Sequence, residues 1–122
     1  YPEIEALLDI QALWEFPGVT TQRSERDELI INDIVFMHGY RSKLGDHARH
    51  NQKNTVCGHS HRGGVWNGRL GDQVVWELNA GHISDPTSIP LSYSKQRKIS
   101  NTVAGFGLID RYGPRFVALE PQ

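Results

Sequence analysis

The chain has a single cysteine, Cys57, so no disulfide can form within its 122 residues. A lone cysteine fits a reducing compartment, and the expected location is cytoplasmic. No apolar run approaches membrane-spanning length and no signal-peptide pattern is present, so no membrane partner is expected. Neither charge sign dominates: 13 basic and 14 acidic residues leave a net charge of -1. That balance gives no overall electrostatic case for nucleic acid, although it leaves room for a local basic patch. A glycine-rich nucleotide fingerprint is missing too. Gly105-Phe106-Gly107 sits among strand residues and lacks the helix such a loop must open. There is no internal repeat, no low-complexity tract and no boundary between two domains.

What is present is globular: 38% hydrophobic and 22% charged residues suit one compact domain, or part of a larger one. Pro2, Ile4, Leu7 and Leu8 carry helical spacing, and Phe16-Pro17-Gly18 ends it, so a helix is expected over about 2–13. The chain opens directly into this pattern at Tyr1-Pro2-Glu3, which leads to the expectation of a piece cut from a longer protein. Residues 20–28 read as a polar loop. Residues 30–37 read as a strand whose end, Ile34 to Met37, is apolar enough to be buried on both faces. A short helix is expected over 44–52 and a second strand at Thr55-Val56-Cys57. Asn67-Gly68 reads as a turn, 73–78 as a strand, and 84–98 as irregular. Paired strands over 103–109 and 116–119 are joined by Asp110-Arg111-Tyr112-Gly113.

The residues that suggest chemistry are Phe36-Met37-His38-Gly39 and, later, Gly58-His59-Ser60-His61. Imidazole nitrogens suit zinc, manganese, iron, cobalt and nickel. Alternate side chains of an extended segment point the same way, so His59 and His61 can converge on one site. His38 follows its own buried strand, and the carboxyl ends of parallel strands are where α/β sheets place ligands.

These two motifs together resemble the C-terminal half of the calcineurin-like metallophosphoesterases. Asn79-Ala80-Gly81 is similar to a short segment that follows in that family. The resemblance covers about 29–81. It implies an α/β fold: part of a two-sheet sandwich with flanking helices, with 1–122 as a single partial domain. It implies two divalent transition-metal ions, manganese, zinc, iron, cobalt or nickel, with His38 and His59 on one and His61 on the other. It further implies phosphoester hydrolysis in the intact parent protein, with bridging water activated by the ions. The acidic motifs of the family have no counterpart: Asp9, Asp46 and Asp72 stand in the wrong context. This leads to the expectation that an N-terminal half, or a second fragment, completes the centre, and that this chain alone is inactive. The substrate could be a nucleotide, a nucleic-acid end, a phosphoprotein or a small metabolite.

Arg41 and Arg62 each follow a motif histidine and suit phosphate oxygens. Tyr40 and His82 are further candidates for substrate binding. His47 and His50 read as solvated or helix-packing residues, Cys57 as a small packed hydrophobe, and 95–98 as a solvated basic loop. Two rival readings stand beside the enzyme. One is an inactive phosphoesterase-like binding or structural domain. The other is a domain with a single structural zinc on His38, His59 and His61.

Overall fold

The computed structural model describes Gly18, residues 27–84 and residues 103–119. The helix expected over 2–13, the basic run 95–98 and most of the stretches 20–28 and 84–98 lie outside these residues.

Asn32 and Asp33 both adopt positive φ, 51° and 63°. Asn and Asp tolerate that conformation, and two such residues in succession make the turn of a tight hairpin. The run read as one strand over 30–37 is therefore two, β1 (Glu28–Ile31) and β2 (Ile34–Met37), paired antiparallel with Ile31 opposite Ile34. The chain then crosses through the helix α1 (Asp46–Asn51) to β3 (Thr55–Cys57), which runs parallel to β2. Next come β4 (Gly64–Leu70) and β5 (Gln73–Asn79), an antiparallel pair. Asn67-Gly68 is not their turn; it lies inside β4, and the turn is Gly71-Asp72. Gly68 serves packing instead, because a Cβ there would strike the Trp66 ring.

These strands form one mixed five-stranded sheet in the order β1-β2-β3-β5-β4. The strands β6 (Gly105–Asp110) and β7 (Gly113–Ala118) form a separate two-stranded antiparallel sheet. The hairpin expected from the sequence is present, its turn at Arg111-Tyr112. The architecture is thus α/β with two sheets. Of the flanking helices that were expected, the described residues contain α1 alone. No helix among them is long and apolar enough to cross a membrane.

The strand parity decides what faces α1. Val35 pairs with Thr55, Thr55 with Glu77, Cys57 with Asn79, and Trp66 with Glu77. Partnered residues share a face, so one side of the sheet presents Val35, Met37, Thr55, Cys57, Val75, Glu77 and Asn79. All seven are buried. α1 covers β3 and β5 with His47 and Ala48 turned inward. The helix can approach closely because its N-cap is Gly45, at φ 98°, where a Cβ would lie 2.7 Å from the Trp66 ring. The opposite side of β4 and β5 meets the β6–β7 hairpin, with Leu78 against Gly107.

Candidate metal centre

Gly45 has no side chain with which to cap α1. The amide of Ala48 is completely buried and donates instead to Glu77 Oε2, at 3.0 Å. A carboxylate at that point satisfies an orphan amide and meets the positive end of the helix. Glu77 is itself only 1% exposed, so the capping charge lies in the core.

Two further groups face this carboxylate. Cys57 Sγ is 3.6 Å from Glu77 Oε1, and His47 Nδ1 is 3.7 Å from the same oxygen. The three residues come from β3, β5 and α1, and one ligand atom from each lies within 4.8 Å of the other two. His47 Nδ1 has no hydrogen-bond partner although the residue is 1% exposed. Its other nitrogen is well held: the amides of Tyr40 and Arg41 each donate to Nε2, at 3.1 Å. The Tyr40 ring stands edge-on to the imidazole and packs on the Val35-Met37-Cys57 cluster.

Burial governs the ionisation of this group. It pushes the His47 imidazole below its ordinary value, against the opposing pull of Glu77. It pushes the Cys57 thiol up, and the Glu77 carboxylate pushes it further. His47 thus favours the neutral form, and a neutral imidazole does not offset a buried carboxylate.

The expected site residues lie at the carboxyl ends of the strands, nearer the surface. His38 and His59 are exposed, with ring centroids 5.5 Å apart and nearly perpendicular. His61 and His82 are half-buried, with centroids 5.4 Å apart. The His61 imidazole is pushed down by burial and then by His82, His59 and His38, so the four rings share one neighbourhood. His59 and His61 both have positive φ, 69° and 59°. Asn79 anchors the turn between them by donating to Gly58 O and to Ser60 Oγ, each at 2.9 Å. Arg41 and Arg62 are exposed; Arg41 lies over the Tyr40 ring, and Arg62 Nη1 donates to Ser42 O. His50 is exposed, as read from the sequence.

The sequence pattern assigns none of His47, Cys57 and Glu77 to a site. One signal was available. Val75, Glu77 and Asn79 share the parity of an alternating strand, and a carboxylate at an inward position asks for a partner.

Among the described residues, this triad is the one group of three or more His, Cys, Asp or Glu whose ligand atoms converge. It offers three ligands for a single ion. That finding corrects the expectation of two ions, because a dinuclear centre needs a larger ligand set with a carboxylate shared between metals. It likewise corrects the assignment to the calcineurin-like metallophosphoesterases, the hydrolase or phosphatase activity, and the contribution of this chain to a dinuclear site. Comparison with protein-family models, with curated proteins and with solved structures finds no match to the chain.

Proposed function

We propose that this chain is a structural metal-binding domain holding one zinc-type ion on His47 Nδ1, Cys57 Sγ and Glu77 Oε1. The observation that carries this reading is the buried Nδ1, without a partner and aimed at a buried carboxylate and thiol. Tetrahedral zinc with its usual bond lengths needs ligand atoms about 3.3–3.6 Å apart. The contacts of 3.6 and 3.7 Å to Glu77 Oε1 are close to that spacing. Charge also balances: a divalent ion with a thiolate, a carboxylate and a neutral imidazole is neutral overall. Thiolate and imidazole select zinc or cobalt over magnesium and calcium, which take oxygen ligands. The ion would tie α1 to β3 and β5, so its binding energy becomes folding energy.

A second reading places the single ion on the surface imidazoles, His38, His59 and His61, with His82 beside them. The pairing of His38 with His59 and of His61 with His82 favours it, although among the described residues only the ligand atoms of the buried triad converge. Cobalt(II) titration separates the two. The buried site predicts saturation at one equivalent, with a near-ultraviolet thiolate-to-cobalt charge-transfer band that Cys57→Ser abolishes. Saturation without that band would overturn the buried site and support the imidazoles.

A further inference from the structure

A neutral imidazole carries one N–H and one lone pair. In His47 the backbone amides of Tyr40 and Arg41 both point at Nε2. Nε2 must therefore hold the lone pair, and the proton belongs on Nδ1, facing Glu77 Oε1. An ion on Nδ1 needs the opposite tautomer. It takes the Nδ1 lone pair, and a neutral ring then carries its proton on Nε2. That N–H would be directed at two other N–H groups, none of which can accept. Both amide hydrogen bonds are incompatible with the metal-bound neutral ring.

We infer that ion binding at the buried triad switches the His47 tautomer and releases the loop 39–42 from the imidazole. The inference rests on the buried-site reading above. The proton balance is simple. The thiol of Cys57 loses its proton to solvent, Nδ1 loses one, and Nε2 gains one, so one proton is released per ion. The freed amides can find water, because Tyr40 is half-buried and Arg41 is exposed. Gly39 lies against the ring: a Cβ there would be 3.2 Å from His47 Cε1 and 3.4 Å from Cys57 Cβ. The loop begins at His38, whose Nδ1 donates to Gly39 O at 2.8 Å and whose ring meets His59. Occupancy of the core site is thereby relayed to the histidine-lined surface. The bistable element is the set of two amides on one nitrogen, and the ion favours only the released state.

The test uses the whole chain with and without one equivalent of zinc. Long-range nitrogen–proton NMR reads the His47 tautomer, and amide hydrogen exchange reads the loop. Zinc is expected to move the proton from Nδ1 to Nε2 and to speed exchange at Tyr40 and Arg41 by about tenfold or more. The Ala48 amide, held by Glu77 Oε2, should exchange no faster. If the cobalt derivative shows the Cys57 band while zinc leaves Tyr40 and Arg41 protected, the switch is overturned; the buried site then stands if NMR shows both His47 nitrogens unprotonated, as in an imidazolate, and loses its imidazole ligand if Nδ1 keeps its proton. If no thiolate band forms, the buried site falls and the switch falls with it.

Discussion

Cys57→Ser is expected to abolish the thermal stabilisation that zinc confers, while barely changing the metal-free protein. In the buried site Cys57 contributes the one thiolate, and a serine hydroxyl is a far poorer ligand for a borderline ion. An ion present at 1,000 times its dissociation constant stabilises the folded state by about 4 kcal/mol. For a domain of this size that corresponds to roughly 15 °C in Tm. Without metal, the substitution exchanges one small buried group for another beside Glu77 Oε1, 3.6 Å from the sulfur. A hydroxyl can donate to that carboxylate, so the metal-free change should stay within about 1 kcal/mol. Differential scanning calorimetry of both proteins, with zinc and with a chelator, checks this. A zinc-dependent Tm rise that survives in Cys57→Ser would contradict the ligand assignment. His38→Ala should leave that rise intact; its loss there would move the ion to the surface imidazoles.

Glu77→Ala should have a large effect even with no ion bound. The carboxylate caps α1 from β5, accepting from a fully buried Ala48 amide. Removing it leaves that donor unsatisfied and opens a cavity between α1, β3 and β5. An unsatisfied buried donor costs about 1–3 kcal/mol, and an unfilled cavity adds to that. A loss of about 3–4 kcal/mol in urea unfolding of the chelated protein is expected. Glu77→Gln separates the two roles of the side chain. Its amide oxygen can still accept from Ala48, so most metal-free stability should remain, but the charge that balances the ion is gone. Zinc should then stabilise Glu77→Gln far less than the native protein. A metal-free Glu77→Ala protein within about 1 kcal/mol of the native one would show that the cap contributes little.

Strand positions were largely legible because their cues are local. Thr55 to Cys57 is apolar or β-branched between polar residues, and the Asp110-Gly113 turn chemistry placed the β6–β7 hairpin. Two local cues misled. Asn67-Gly68 has the composition of a hairpin turn, yet the Trp66 indole needs the space above Gly68, and packing overrode the dipeptide. Asn32-Asp33 is also a turn pair, but it is embedded among apolar residues, so the pattern of 30–37 reads as one long strand.

The site was harder to read because its geometry is tertiary. His38, His59 and His61 attract attention through short spacings, and the fold does bring His38 beside His59. His47, Cys57 and Glu77 have no such spacing. They meet only after α1 folds across β3 and β5, and nothing local marks His47 as the residue that turns inward while His50 stays in water. A single cysteine is an uninformative signal by itself. It gains meaning from the carboxylate on the neighbouring strand, and that neighbour depends on the crossover that sets β3 beside β5.

The central claim is that one ion sits on a thiolate, an imidazole and a carboxylate in the core. Zinc K-edge X-ray absorption of the protein loaded with one equivalent tests it most directly. The account predicts one sulfur at about 2.3 Å together with nitrogen and oxygen ligands at about 2.0–2.2 Å. A first shell of nitrogen and oxygen alone, with the outer scattering of several imidazoles, would contradict it.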